Sequence, residues 1–410
     1  LLTHYEKPGM SPPSARMRAV ILHEQHRAQR VQVSNLCRAL KLGKFLASTA
    51  TEIALDVLIH HLFGPRRKSW GLRMTLLSSV MRDVGNHSSL VDIATIRLFL
   101  SIGELGPLPD DAVITPVTFR VHCRHLRGIL AAHDAREDGT RELTGEWVTT
   151  KESMRQARDP DCKQGCGADR VVLYLHGGAY YLFSPATHRR ITIPLSRATD
   201  ARVFAVDYRL APESRFPGPL HDAASAYFRL VDELGVRPEN IIVAGDSAGG
   251  GLALALLMYL RDDGYPLPAG AILMSPWVDL TLSCDSWDRN SRYDIVPRPV
   301  PGDLLDPVVC YLGVEHVDAL VTHPYASPLF GEFRGLPPLL LQSGEVEVLR
   351  DEHVLLAAKA RRAGVHVVQE TYDDAIHVFQ AFWFHNATER AFASCGTFTR
   401  KTLPQIEELA

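Results

Sequence analysis

The sequence predicts an α/β protein with a mostly parallel central sheet flanked by helices. From residue 171 onward, short apolar runs rich in β-branched residues alternate with longer runs of helix formers. That is the pattern of parallel strands joined by helical crossovers. The runs are continuously apolar rather than alternating, as in VVLYL at 171–175 and IIVA at 241–244. A strand covered on both faces requires this.

Taken in order, residues 1–110 read as an N-terminal helical extension or cap, helix-like from 10 to about 105. The loop GELGPLPDD at 103–111 marks a boundary, and 111–410 reads as the sheet-bearing unit. Strands are expected at VITPVTFRV (113–121) and ELTGEWVTT (142–150), then, past a polar loop over 155–170, at VVLYLH (171–176) and ARVFAVDY (201–208). A helix follows over 218–234, then the strand NIIVAGD (240–246), a helix over 250–264 and the strand GAILMSPW (270–277). Residues 282–330 break the alternation with a proline-rich, polar stretch. They read as an insertion over one rim of the sheet, lining a pocket with the N-terminal helices. The pattern resumes with the strand PPLLLQSG (337–344), a helix over 351–364, the strand VHVVQETY (365–372) and a last helix from Phe379.

Composition narrows the function. The 44 basic and 47 acidic residues leave a net charge of −3, with no basic excess to suggest nucleic acid as a partner. The 7 cysteines are scattered, which does not resemble a disulfide framework. Cys162 and Cys166 share a polar loop, but no His or Cys pair of fitting spacing accompanies them, so no metal site is expected. The chain shows no apolar signal core, and a cytoplasmic location or peripheral association with an internal membrane is expected. Without a secretory signal, the sequons at Asn86 and Asn386 are expected to stay unused.

One segment, FLASTATEIALDVLIHHLF at 45–63, invites a membrane reading. Its polar residues Ser48, Glu52, Asp56 and His60 recur every four positions and form one stripe on an apolar helix. Two mid-span acids would each cost about 2.5–3.5 kcal/mol at a bilayer centre, which argues against spanning. Packing on the protein is the expectation, and lying in a membrane interface is the alternative.

The chemistry centres on IIVAGDSAGG at 241–250. An apolar strand stops at Ser247 and a helix-forming run begins, with Gly245 and Gly249 placed where side chains would collide. This is the spacing of a nucleophile elbow, which lifts a serine oxygen above the carboxyl end of a strand; the bland alternative is a serine that merely caps a helix. A serine nucleophile needs a base, an orienting carboxylate and donors for the oxyanion, all gathered past the ends of later strands. Past PPLLLQSG the acids Glu345, Glu347, Asp351 and Glu352 compete. Asp351 and Glu352 open a helix, where acids suit the dipole; Glu345 and Glu347 both lie in the loop itself, and of the two Glu347 is preferred. Past VHVVQETY, His377 is the histidine in the right loop; His353, His366 and His385 fall in elements. The order Ser247, Glu347, His377 is that of α/β-hydrolase triads. After VVLYL, Gly177, Gly178 and Ala179 offer backbone N–H groups that join Ala248 N–H as the expected oxyanion hole. Tyr180 and Tyr181 follow and are expected to line the substrate pocket, with core packing the alternative. His176 reads as scaffold, Asp246 as a support of the turn, and Asp207 and Arg209 as structural ion-pair residues.

These motifs together resemble the hormone-sensitive-lipase-like branch of the α/β-hydrolases, the arylacetamide deacetylase and fungal steryl acetyl hydrolase group. The matching pieces are HGGAYY (176–181), DYRLAPE (207–213), GDSAGG (245–250), SPWVDL (275–280), EVLRDE (347–352) and IHVF (376–379). They span about residues 140–390, while HHLFGPRRKSWGLRMTLLSSVMR at 60–82 resembles fungal members. Two positions depart from the family pattern, Ala179 for a third glycine and Glu347 for the usual aspartate. The resemblance implies a serine carboxylic ester hydrolase acting on small to medium, acetyl-like acyl esters through an acyl-enzyme. It also implies no cofactor, an N-terminal cap and a homodimer. A membrane-associated steryl or lipid deacetylase is the nearer alternative. A non-catalytic small-molecule receptor is the farther one, since related receptors lose the histidine that stands here as His377.

Overall fold

The computed structural model describes residues 50–86, 93–102, 109–156, 170–299 and 305–409. Residues 1–49, Cys162, Cys166 and residues 87–88 of the first sequon lie outside them. The strands are β1 (Ala112–His122), β2 (Asp138–Thr150), β3 (Val171–Leu175), β4 (Arg202–Asp207), β5 (Ile241–Asp246), β6 (Gly270–Met274), β7 (Leu339–Gly344) and β8 (Val367–Tyr372). They form one sheet in the order β1-β2-β4-β3-β5-β6-β7-β8. β2 runs antiparallel to both its neighbours, and every pair from β4 to β8 is parallel.

The longer helices are α1 (50–63), α2 (Leu72–Asn86), α3 (Ile93–Ile102), α4 (Arg189–Thr199), α5 (Gly218–Phe228), α6 (Ser247–Asp262), α7 (Arg350–Arg362), α8 (Thr388–Thr397) and α9 (Leu403–Leu409). The continuous apolar strands are explained by the two helical layers. Val171, Leu173, Val243 and Leu273 pack on one face with Leu252 and Leu256 of α6 and Leu220 of α5. Val172, Tyr174, Ile242 and Ile272 pack on the other with Ile191 of α4, Phe392 of α8 and Leu403 of α9. Alternate residues of one strand therefore serve opposite cores.

Two elements differ from expectation. α4, the crossover between the parallel neighbours β3 and β4, carries Pro194 inside it, and this proline masks the helical pattern. The helix expected from Phe379 starts only at Thr388, as α8, and a further helix, α9, follows it. Residues Phe379–Ala381 form one 3₁₀ turn, and a further loop intervenes.

The 45–63 segment is helical over its described part, α1, and it is turned inside out. Two residues of its polar stripe face the protein: Asp56 bonds Arg66 at 2.6 Å and Arg82 at 2.9 Å, and His60 Nδ1 meets Thr75 Oγ1 at 2.8 Å, while Glu52 is exposed and Ser48 lies outside the described residues. Its leucines face outward, with Leu55 55%, Leu58 53% and Leu62 66% exposed. Packing on the protein thus runs through the polar stripe rather than the apolar face. Next along the chain, Trp70 and Met74 bury against Ile295 of the 282–330 insertion and against Val346 and Ile376 beside the site. Among the described residues no helix is long and apolar enough to cross a membrane.

Candidate active site

β5 passes directly into α6 at Ser247, which sits at a left-handed φ of 50°. A non-glycine residue holds that conformation only when its surroundings over-determine it. The glycines supply the room: a Cβ at Gly249 would strike the Leu175 carbonyl, and one at Gly245 the Gly249 carbonyl. The capping alternative fails on geometry, because Ser247 is inside the helix and its hydroxyl bonds elsewhere.

That hydroxyl lies 2.8 Å from His377 Nε2, and His377 Nδ1 lies 3.1 Å from Glu347 Oε2. A carboxylate at Nδ1 selects the tautomer with the proton there, leaving Nε2 to accept from the serine. Glu347 follows β7 and is fully buried. Its other oxygen, Oε1, accepts from Ser275 Oγ at 2.6 Å and from the Gly344 N–H. Ser275 Oγ in turn accepts the Val378 N–H at 3.1 Å, joining the acid and base loops from the end of β6. Burial opposes a charged imidazole at His377. The bond to Glu347 and the charges of Glu347, Asp294 and Asp246 outweigh it, and its pKa is raised.

The competing acids are occupied elsewhere. Glu345 Oε2 bonds Arg67 at 2.8 Å and the Asp374 N–H at 3.0 Å. Asp351 accepts the Ser286 N–H at 3.0 Å, and buried Glu352 accepts the Val278 N–H at 3.1 Å.

The loop after β3 corrects two expectations. The Gly177 N–H is directed at Asp246 Oδ1, 3.0 Å away, so Gly177 is not an oxyanion donor. Gly178 and Ala179 follow at φ values of 112° and 53°, and among the described residues no acceptor bonds their N–H groups. Tyr180 does not line a substrate pocket. Its side chain is fully buried and stacks on Tyr311 with ring centroids 3.8 Å apart. The apolar ring turned into the core beneath the loop, where the helical turn at Pro307–Leu312 supplies a partner. Tyr181 is half-buried, and its carbonyl accepts from Arg97 Nε of α3 at 2.8 Å.

Beneath the loop, Asp246 also accepts from Tyr174 Oη at 2.5 Å and faces His188 Nε2 at 3.3 Å. The carboxylate therefore supports the turn as its position in the sequence suggested. Burial, with the neighbouring His188 charge, pushes His176 down to about 3, so it stays neutral; its Nδ1 donates to the Gly177 carbonyl at 2.7 Å. Arg209 pairs with Asp222 at 2.8 Å, and Thr144 Oγ1 donates to Asp207 at 2.9 Å.

Sequence reasoning missed Ser275 and Asp294. Ser275 lies in the SPWVDL motif at a strand end, where a polar residue after an apolar run was the available signal. Asp294 stands in an irregular polar loop where nothing periodic marks it.

A serine, imidazole and carboxylate bonded in series over the carboxyl ends of parallel strands define a serine hydrolase on an α/β-hydrolase sheet. The sequence comparisons agree: the model of the alpha/beta hydrolase fold family matches residues 172–381. An acetyl-hydrolase of Streptomyces hygroscopicus is 42% identical over 260 residues, 63% of this chain and 79% of that protein. An esterase of Acinetobacter venetianus is 36% identical over 246 residues, 59% of this chain and 78% of that protein. Among solved structures, the esterase EstE5 soaked with p-nitrophenyl butyrate superposes with a TM-score of 0.64 at 34% identity, covering 82% of this chain and 100% of that one. An esterase of the bacterial hormone-sensitive lipase family gives a TM-score of 0.64 at 32% identity, covering 82% and 99%. The chain belongs to the α/β-hydrolase fold family, in its hormone-sensitive-lipase-like branch, and is a serine ester hydrolase. The fungal likeness at 60–82 lies outside the matched span, and the two relatives described are bacterial.

Proposed function

We propose that the protein hydrolyses small to medium, acetyl-like carboxylic esters with Ser247 as nucleophile, His377 as base and Glu347 as the acid that orients it. The ester carbonyl enters between Ser247 and the N–H groups of Gly178, Ala179 and Ala248. His377 takes the serine proton as Oγ attacks, and Glu347 stabilises the imidazolium. The oxyanion rests on the three N–H groups, each worth about 2.7–4 kcal/mol in the transition state. His377 protonates the leaving alcohol, and water then repeats the cycle on the acyl-enzyme. Helices α1 to α3 form the cap in this reading, and Tyr181 lines the entry. The observation that carries it is the bonded series Ser247–His377–Glu347, at 2.8 and 3.1 Å, behind a strained elbow. Ser247→Ala is expected to abolish hydrolysis of p-nitrophenyl esters and labelling by a fluorophosphonate. Full activity in that variant refutes the reading, and a chain that is never labelled is the receptor instead. A series from acetate to longer acyl chains, with a sterol acetate, tests the acyl range. The homodimer implied by the resemblance belongs to the same reading, and light scattering tests it.

A second reading, a deacetylase working at a lipid surface, is favoured by the inverted α1. Leu55, Leu58 and Leu62 share one helix face, and Phe63 at 82% exposed extends it. The basic residues Lys68 and Arg73 are exposed just beyond, and Arg73 lies over Trp383, itself 67% exposed and six residues past His377. An apolar face rimmed by basic residues suits the interface of an anionic bilayer. The expected result is co-sedimentation of the full chain with phosphatidylglycerol vesicles, lost in Leu58→Ser/Leu62→Ser. Equal partition of the variant, or no binding by the native chain, overturns it.

A further inference from the structure

We propose that Asp294 is a positioning residue for the base, clamping the His377 loop to the Glu347 loop and setting a second negative charge behind the imidazole. The inference deepens the serine-hydrolase reading of the site and rests on it.

Asp294 comes from the 282–330 insertion, yet it is fully buried. Its Oδ1 accepts the His377 N–H at 2.9 Å and the Ile295 N–H at 2.8 Å. Its Oδ2 accepts the Val348 N–H at 2.8 Å, one residue past Glu347. One carboxylate therefore ties the backbone of the acid loop to the backbone of the base loop. Neighbours in the same insertion brace the acid loop as well. Asn290 Nδ2 donates to the Glu347 carbonyl at 2.7 Å, and Ser286 Oγ donates to the Val348 carbonyl at 2.5 Å.

No Lys or Arg forms a salt bridge with Asp294 among the described residues. The ionisable groups acting on it are His377 from the β8 loop and Glu347 from the β7 loop. His377 in turn feels Glu347, Asp294 and Asp246, and His353 of α7 interacts with both Glu347 and His377. Burial and the like charge of Glu347 push Asp294 up to about 6, while His377 and the backbone donors hold it down. Glu347, bonded to the ring, and Asp294, bonded to the backbone of the same residue, then both favour the charged imidazole when ionised. Folding supplies this carboxylate from a loop far from either triad partner in sequence, so the insertion contributes to the base as well as to the rim.

The test is Asp294→Asn in the full-length chain, read as pH profiles of kcat and KM with p-nitrophenyl acetate. Asparagine keeps the shape but loses the charge, and its amide N–H₂ faces one of the backbone donors. A small misplacement of a reacting group lowers kcat by up to about a hundredfold. The expected result is a kcat drop of about tenfold or more, with KM little changed. Removing a negative charge lowers the His377 pKa, so the acid limb of kcat/KM moves to lower pH. An unmoved limb in a variant that melts like the native chain overturns the proposal. If that variant does not fold, Asp294→Glu decides: with the charge kept and the backbone clamp displaced, kcat should fall while the acid limb stays near the native one, and a native kcat overturns the proposal. Loss of the Ser247 assignment would show separately, as an active Ser247→Ala.

Discussion

Replacing Glu347 with glutamine asks the sharpest question of the site. The carboxylate accepts from His377 Nδ1 through one oxygen, and from Ser275 Oγ and the Gly344 N–H through the other. Glutamine has a single acceptor oxygen to share among them. The placement that keeps two of these bonds turns the oxygen toward Ser275 and Gly344 and the amide N–H₂ toward His377. His377 Nδ1 must then accept, so the ring proton moves to Nε2, facing Ser247, and the base can no longer take the serine proton. A carboxylate-to-amide exchange of this kind in a serine triad costs about 10⁴ in kcat, or about 5.4 kcal/mol at 1.36 kcal/mol per decade. The assay is p-nitrophenyl acetate hydrolysis at pH 7.5, with a thermal melt to show that the variant is folded. Glu345→Gln is the companion, because Glu345 is 41% exposed and its side chain serves Arg67 and the Asp374 backbone. That change should stay within about threefold, as expected for a partly exposed pair. If Glu347→Gln retains more than about a tenth of native activity, the tautomer argument is wrong and another group orients His377.

Ala179 holds a left-handed φ of 53°, which costs an L-residue about 1–2 kcal/mol, so Ala179→Gly should raise stability by up to about 1 kcal/mol after glycine's entropy, with the backbone N–H retained. A lowered melting temperature would show that the methyl group packs productively. Asp222 is fully buried; burial opposes its charge, but His221, Arg209 and Arg141 outweigh it and hold the carboxyl at about 2. A depressed value stabilises the fold above the unfolded pKa of about 3.9, and this contribution is lost as pH falls toward 2. Asp222→Asn should cost about 3 kcal/mol at neutral pH, the low end for a broken buried pair because Arg209 is 37% exposed. It should also flatten the acid-unfolding profile between about pH 4 and 2, and an unchanged profile would assign acid unfolding to other carboxylates.

The strand runs, the elbow at Ser247 and the loop position of His377 were legible because each follows a local rule. Burial on both faces demands unbroken apolar strands, and a strand-to-helix corner demands glycine at 245 and 249. The helix that starts at Arg350 set Asp351 and Glu352 apart from Glu347, a local signal too, but only the tertiary bonds of Glu345 to Arg67 and the Asp374 N–H tell it from Glu347. Gly177 and Gly178, by contrast, are indistinguishable as letters. Which N–H turns toward Asp246 and which stays open depends on a carboxylate 69 positions away. Tyr180 and Tyr181 are equally ambiguous until a helical turn at Pro307–Leu312 arrives to stack on the first.

The local code of this chain settles where its strands lie and which side chains carry chemistry, since both follow from periodicity and backbone sterics among near neighbours. The assembly of the fold settles what those side chains touch. Asp294 bonds His377 across 83 positions and Val348 across 54, and α1 turns Asp56 inward because Arg66 and Arg82 wait there. Such choices depend on long-range pairing of buried charges and donors, and no short-range pattern records them.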